Sequence, residues 1–155
     1  MPNVIKVLFI CHGNICRSPM AEFMFKDLVA KRKLADKFHI ESAAVSSEEI
    51  GNPVYPPAKR RLSQAGISCE DKRARKVTKK DYENFDYLIA MEEYNLSRLN
   101  RIIDKDSENK VHLLLDFTDK KGDIADPWYT GNFDITYNDI LEGCNALLEK
   151  LKKDC

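Results

Sequence analysis

The sequence lacks several features that mark large classes of proteins. Its 25 Lys and Arg residues are balanced by 25 Asp and Glu residues, so neither charge is in excess. Bulk attraction to nucleic acid or to an anionic membrane is therefore not its organising property. No apolar run approaches the about 20 residues of a membrane-spanning helix. The five cysteines are an odd number at irregular spacing, which argues against a disulfide framework.

The opening segment also lacks an export signal, because no basic region precedes a long apolar stretch in Met1–Val4. We therefore expect a cytoplasmic protein whose cysteines are either buried apolar residues or working thiols. At 155 residues, of which 43% are hydrophobic, the chain is long enough to bury a core of its own. These features predict one domain over residues 1–155, and we expect a monomer.

Short apolar runs alternate with helical patterns along the chain, as in an α/β fold. Predicted strands cover residues 7–10, 38–43, 87–91 and 111–115. They predict a small, doubly wound, four-stranded parallel sheet with helices on both faces. Residues 116–133 are expected to form a long functional loop before a closing C-terminal helix. In such folds ligands bind at the carboxyl ends of the strands, so the residues after position 10 are the first candidates.

The loop after the first strand has the sequence CHGNICRSP over residues 11–19 and leads into a helix. A thiol at Cys11 would lie at a helix N-terminus, where free N–H groups and the helix dipole favour the thiolate. The same N–H groups form a cradle for a tetrahedral anion. Gly13 and Asn14 tolerate the left-handed backbone angles that a loop curled around an anion requires.

Two further side chains of this loop suit phosphate chemistry. Arg17, six residues after Cys11, can return to clamp two oxygens of a phosphate. Ser18 can donate a hydrogen bond to the thiolate and help to expel it later. The loop therefore predicts attack of Cys11 on phosphorus through a cysteinyl-phosphate intermediate.

Spacing alone does not identify such a loop, because the segment from Cys69 to Arg75 has the same separation of cysteine and arginine. That segment contains no glycine and follows no strong apolar strand. We interpret it as a solvated charged segment, and the nearby charges up to Lys80 as a solvated face.

Residues 11–19 resemble the active-site loop of the low-molecular-weight protein tyrosine phosphatases. Further segments match that family in the same order over essentially the full chain. They are Ser42-Ala43-Ala44, residues 49–53, Ala74-Arg75 with Thr78, residues 86–91, and Asp126-Pro127-Trp128-Tyr129.

The resemblance implies a catalytic set of Cys11 as nucleophile, Arg17 as phosphoryl-binding residue and Asp126 as acid and base. One carboxyl group can protonate the leaving phenolate and later activate water. An ordinary turn-capping role for Asp126 stays open, since Asp116, Asp119 and Asp123 lie nearby in the sequence.

The resemblance also implies a substrate-binding set and a partner. The set comprises His12, Gly13, Asn14, Ile15, Cys16, Ser18, Glu48, Trp128 and Tyr129. Ser42 would support the loop through a hydrogen bond to Asn14, and the two aromatic residues could stack a phosphotyrosine ring, unless they pack under the loop instead. The expected partner is a phosphotyrosine-bearing protein, with no metal and no organic cofactor.

One further position fits the resemblance, and two depart from it. In the family, a second loop cysteine traps the oxidised nucleophile as a reversible disulfide, which implies a redox role for Cys16, although a plain packing role is equally open. Lys72 stands where many relatives carry a histidine, so the contact behind Asn14 is expected to differ. Glu48 stands at a rim position that is often aromatic, which favours basic over acidic phosphopeptides.

Other functions fit less well. Arsenate reductases of this fold need additional cysteines, and residues 76–95 contain none. Protein-arginine phosphatases of the family typically carry threonine where this chain has Ile15, so phosphotyrosine is favoured. A binding or redox module would not need Cys11, Arg17 and Asp126 together, and turnover of an aryl phosphate would distinguish it. A nucleotide-binding P-loop is excluded because no Gly-Lys-Ser/Thr ending is present.

Overall fold

The computed structural model describes residues 4–155, which contain six α-helices, three short 3-10 helices and four strands. The strands are β1 (Ile5–Cys11), β2 (Phe38–Ala44), β3 (Tyr87–Ala90) and β4 (Val111–Leu113). The helices are α1 (Arg17–Lys31), α2 (Pro56–Gln64), α3 (Lys79–Asn84), α4 (Glu93–Ile103), α5 (Pro127–Thr130) and α6 (Phe133–Leu151). Residues 1–3, part of the segment on which the expected absence of an export signal rests, lie outside the described residues. Within residues 4–155, no helix combines the length and the apolar character needed to cross a membrane.

The four strands form one parallel sheet in the order β2-β1-β3-β4, which confirms the predicted fold. Side chains alternate across β1, so Val7 and Phe9 join one buried cluster while Leu8 and Ile10 join another. The first cluster includes residues of α1 and α6, and the second includes residues of α3 and α4. Helices therefore cover both faces, and a strand buried on both faces has the continuous apolar run seen in β1.

The strand order reverses around β1, which lies between β2 and β3. The carboxyl ends of β1 and β3, at Cys11 and Ala90, consequently meet at the switch point of the sheet. Crevices form at such points because the connecting segments leave the sheet in opposite directions.

The helix starts follow local side-chain chemistry. Thr78 and Asp81 form a reciprocal cap of α3, with Thr78 Oγ1 accepting from the Asp81 N–H at 3.3 Å. Proline occupies the first turn of α2, and Gly66 follows that helix with a φ of 76°.

The region after β4 differs from the prediction. The fourth strand ends at Leu113, and a short 3-10 helix (Leu114–Phe117) follows it. The predicted long loop up to residue 133 contains α5, which Asp126 caps. Apolar periodicity cannot separate a strand from a short buried 3-10 turn, which explains the overextended strand.

The prediction of a solvated segment between Cys69 and Arg75 is wrong in part. The Lys72 side chain is only 11% exposed. The Arg75 guanidinium contacts Asp81 at 2.9 Å and Glu41 at 3.1 Å. Charge patterning in a sequence does not reveal which charges are paired across the fold.

Candidate active site

The loop after β1 surrounds the Cys11 sulfur with hydrogen-bond donors. The backbone N–H groups of Asn14 and Ser18 donate to Cys11 Sγ at 3.3 and 3.4 Å. The Ser18 hydroxyl oxygen lies 2.9 Å from the same sulfur. Because Ser18 Oγ already accepts a bond from the Asn14 amide at 2.8 Å, its own proton is free to point at the sulfur. Three donors therefore converge where a thiolate would form.

Asn14 holds the loop in its curled shape. Its φ is 60°, in the left-handed region that asparagine tolerates, and its side chain is buried. Besides Ser18, the amide Nδ2 donates to Ser42 Oγ at 2.9 Å, so the hydrogen bond implied by the family resemblance is present. The amide oxygen accepts from the Arg75 backbone N–H at 3.1 Å. A single side chain thus connects the loop to two neighbouring segments.

Lys72 takes part in this support one step further from the loop. The Ser42 hydroxyl donates to Glu22 Oε1 at 2.5 Å, while Lys72 Nζ donates to the Ser42 carbonyl oxygen at 2.9 Å. Lys72 also lies 3.5 Å from Glu22, and burial lowers the pKa of this lysine against the opposing pull of that carboxylate. Lys72 therefore acts on Asn14 only through Ser42, as the departure at this position suggested.

Arg17 is fixed by acceptors from two other loops. Its guanidinium is 2% exposed and bonds to the Ile124 carbonyl oxygen at 2.9 Å. Glu92 Oε2 lies 2.9 Å from Nη1, and Asp126 Oδ2 lies 3.3 Å from Nη2. Burial alone would lower the pKa of Arg17, but the bond to Glu92 and the nearby charges of Cys11 and Asp126 hold it above its ordinary value. The guanidinium is therefore a preorganised cation beside the Cys11 sulfur.

Asp126 stands between the short helix α5 and this guanidinium. Its Oδ1 caps α5 by accepting the Trp128 N–H at 3.0 Å, and its Oδ2 contacts Arg17. The cap fixes one oxygen and leaves the other at the cavity, with the side chain 24% exposed. Asp126 is thus both a turn-capping residue and a cavity-lining carboxyl group.

A cavity of about 530 Å³ opens above the loop. Its lining is Cys11, His12, Gly13, Ile15, Cys16, Arg17, Glu48, Glu49, Glu92, Tyr94, Arg98, Asp126, Trp128 and Tyr129. Every predicted catalytic residue is among them, and of the predicted substrate-binding residues only Asn14 and Ser18 are not. Those two residues, like Ser42, lie in the support beneath the cavity.

Backbone N–H groups in the loop remain open for an anion. The N–H groups of Gly13, Ile15 and Cys16 find no acceptor within residues 4–155. All three residues line the cavity, so these donors have the character of an oxyanion cradle.

The rim is aromatic and acidic. Trp128 packs against Tyr55 with ring centroids 4.8 Å apart, while the Tyr129 side chain is 85% exposed at the mouth. Glu48 Oε2 lies 3.2 Å from His12 Nε2. The cavity therefore has flat walls for a ring above a cationic, donor-rich floor.

Four lining residues were not predicted as site residues: Glu49, which lies in a segment that matches the family, and Glu92, Tyr94 and Arg98. Three of them follow β3, whose carboxyl end adjoins that of β1. Ligand-binding residues collect at the carboxyl ends of parallel strands, so the residues after β3 are candidates as well as those after β1. Glu92, which holds Arg17, is one of them.

Cys16 lies at the start of α1 and lines the cavity. Burial raises the pKa of its thiol well above the ordinary value, and the charges of Cys11 and Asp126 add to the effect. Cys16 is therefore a protonated thiol at neutral pH, in contrast to a nucleophilic cysteine.

Comparison with known proteins identifies the family. The family model described as low molecular weight phosphotyrosine protein phosphatase matches residues 6–155. The low molecular weight protein-tyrosine-phosphatase YfkJ of Bacillus subtilis is 40% identical over 153 residues, covering 97% of this chain and 98% of the relative. The low molecular weight phosphotyrosine protein phosphatase of Mus musculus is 41% identical over 149 residues, covering 93% and 94%.

Solved structures agree with these matches. The crystal structure of YfkJ superposes with a TM-score of 0.94 at 40% identity, covering 97% of this chain and 96% of that one. A structure described as DARP, drosophila arginine phosphatase, gives 0.86 at 33% identity, covering 96% and 98%. Fold, cysteine loop and relatives together define a hydrolase of the protein-tyrosine-phosphatase class. The chain belongs to the low molecular weight phosphotyrosine protein phosphatase family.

Proposed function

We propose that this enzyme hydrolyses phosphotyrosine in proteins, and small aryl phosphates, through a cysteinyl-phosphate intermediate on Cys11, with Asp126 as acid and base. The observation that carries the proposal is the position of Cys11 Sγ, which three donors contact on the floor of a cavity that Arg17 and Asp126 also line. A nucleophilic thiol requires a reducing compartment, so we place the reaction in the cytoplasm.

In the first step the Cys11 thiolate attacks phosphorus, and an S–P bond forms as the bond to the phenolic oxygen breaks. The open N–H groups of the loop and the Arg17 guanidinium bind the phosphoryl oxygens, where they stabilise the charge of the transition state. Asp126, protonated, donates its proton to the departing phenolate.

Arg17 and Asp126 exchange partners during this step. Arg17 has five N–H donors, and one of them contacts Asp126 Oδ2. A phosphoryl oxygen that takes the place of this carboxylate releases Asp126 to hold a proton and turn toward the leaving group. The freed carboxylate takes up a proton from solvent and then serves as the general acid.

In the second step water attacks phosphorus and the S–P bond breaks. The Asp126 carboxylate accepts a proton from that water, and phosphate is released. Cys11 leaves as a thiolate, which the Ser18 hydroxyl and the two backbone N–H groups stabilise.

The walls of the cavity favour a flat ring. Ile15, Trp128 and Tyr129 line the cavity and offer apolar surface to phosphotyrosine. A structure described as an arginine phosphatase shares this fold, so the fold alone does not identify the substrate. The preference for phosphotyrosine is therefore part of the proposal. Ile15 supports the aryl phosphate, since it supplies no hydroxyl for a guanidinium.

The test is to trap the intermediate. The enzyme is mixed with a phosphotyrosine peptide in EDTA, denatured within milliseconds, and digested for mass spectrometry. We expect a phosphoryl group on the peptide that contains Cys11, and slower turnover of a phosphoarginine peptide of the same sequence. Steady turnover with the phosphoryl group on another side chain, or with none trapped, would contradict the mechanism.

Cys16 protects Cys11 from oxidation in this proposal. Peroxide oxidises the Cys11 thiolate to a sulfenic acid and is itself reduced to hydroxide. The Cys16 sulfur then attacks that of Cys11, so that a disulfide forms and water leaves. The raised pKa of Cys16 makes this trapping slower than attack by an ordinary thiol, but both thiols line one cavity.

After a peroxide pulse and thiol treatment, Cys16→Ala should recover a smaller share of its starting activity than the wild type. Without Cys16 the sulfenic acid advances to irreversible states. Normalising to starting activity removes any effect on catalysis, and Cys155→Ala, which removes an exposed thiol, serves as control. Equal recovery in Cys16→Ala and the wild type would end this role.

A further inference from the structure

One wall of the cavity has no role in the chemistry above. Tyr94 and Arg98 lie one turn apart on α4 and both line the cavity. Arg98 Nε donates to the Tyr94 hydroxyl oxygen at 3.1 Å, and the guanidinium carbon lies 5.3 Å from the ring centroid. The Tyr94 ring in turn lies 6.3 Å from the His12 ring of the phosphate loop. The arginine is therefore held on an aromatic platform beside the loop.

Within the part of the chain that the structure describes, Arg98 is the cation at the mouth that has no acidic partner. No carboxylate oxygen lies within 4.0 Å of it among residues 4–155, whereas Arg17 is paired with Glu92 and Asp126. The other charges of the mouth are engaged: Glu48 contacts His12, and Glu49 accepts from Asn52. A half-buried guanidinium with free donors is suited to a carboxylate supplied by a ligand.

We propose that Tyr94 and Arg98 form a subsite for an acidic side chain next to the phosphotyrosine of the substrate, an inference that rests on the proposed function. The Tyr94 ring holds the guanidinium in place, so little side-chain freedom is lost when the carboxylate binds. Glu48 and Glu49 lie on the remaining rim and repel a second acidic residue. The mouth thus selects a peptide with an acidic residue on one side of the phosphotyrosine. Glu48 alone does not determine whether acidic or basic peptides are preferred.

The experiment measures kcat/KM for matched phosphotyrosine peptides that carry Asp or Asn at each of the three positions on either side. For the wild type we expect one position where Asp raises kcat/KM about threefold to tenfold over Asn, with the ratio falling as salt screens the pair. Arg98→Lys should keep part of that ratio, Arg98→Gln should bring it to one, and Arg98→Glu should invert it. Arg101→Gln, which removes an exposed arginine of the same helix, is the matched control and should keep the wild-type ratio.

The ratio is internal to each enzyme, so a variant with altered overall activity still reports on the subsite. A wild-type ratio near one at every position, or an undiminished ratio in Arg98→Glu, would overturn the subsite while leaving the phosphatase intact. Failure of the wild type to hydrolyse any of the peptides would instead overturn the proposed function, and the subsite with it.

Discussion

Cys11→Ser should reduce kcat on para-nitrophenyl phosphate by about 10⁴-fold or more, the scale seen when a catalytic nucleophile is removed. A serine hydroxyl needs a general base to act as a nucleophile. The groups that contact Cys11 Sγ are two backbone N–H groups and the Ser18 hydroxyl, none of which is a base. The loop supplies donors for an anion but no base that would deprotonate a serine hydroxyl.

The control for this variant lies in the same sequence. Cys69 is a buried cysteine that precedes Arg75 by the same spacing as Cys11 precedes Arg17, but it does not line the cavity. The control variant is Cys69→Ser. We expect it to retain turnover. Cys11→Ser should still bind aryl phosphates, because the N–H groups and Arg17 are unchanged, and retained binding separates lost chemistry from lost folding. Turnover in Cys11→Ser within tenfold of the wild type would mean that another group is the nucleophile.

The loop could be predicted from the sequence because its parts are contiguous. A buried strand, a glycine-bearing turn and a helix start follow one another over residues 7–19, so short-range rules suffice. The sheet could be predicted for the same reason, since each strand is a short apolar run between helical patterns. The structure confirms the parallel α/β fold and brings Cys11, Arg17 and Asp126 to one cavity.

The features of the site that could not be predicted depend on contacts between segments that are far apart in the sequence. Glu92 holds Arg17 across 75 residues of sequence, and Arg75 bonds to Asn14 across 61. Nothing in the local pattern of residues 69–80 distinguishes buried, paired charges from solvated ones. Tyr94 and Arg98 have the spacing of neighbours on a helix, which the sequence shows. Only the fold places this side of α4 next to the phosphate loop.

Asp126→Asn should lower kcat on a phosphotyrosine peptide by about 10²- to 10³-fold, the size expected for a lost general acid. The change leaves the cap of α5 in place, because asparagine caps a helix as well as aspartate does and can still accept the Trp128 N–H. The loss should be smaller for para-nitrophenyl phosphate, whose leaving group needs less help from a proton.

The same variant tests the exchange of partners at Arg17. In the wild type a phosphoryl oxygen must replace Asp126 Oδ2 on the guanidinium. A neutral amide competes less well for Arg17, so KM should stay the same or fall while kcat collapses. Asp119→Asn, an exposed aspartate of the preceding loop, is the matched control and should behave as the wild type.

Steady-state kinetics on the peptide and on the nitrophenyl ester decide between two carboxyl groups. Glu92 also contacts Arg17, but it is held at 2.9 Å by the guanidinium, whereas Asp126 contacts it at 3.3 Å. The weaker contact is the one that a phosphoryl group can displace. Equal losses of kcat on both substrates would contradict protonation of the leaving group by Asp126. A kcat within twofold of the wild type would assign the proton to another group. Glu92, the other carboxylate on Arg17, would then be the candidate.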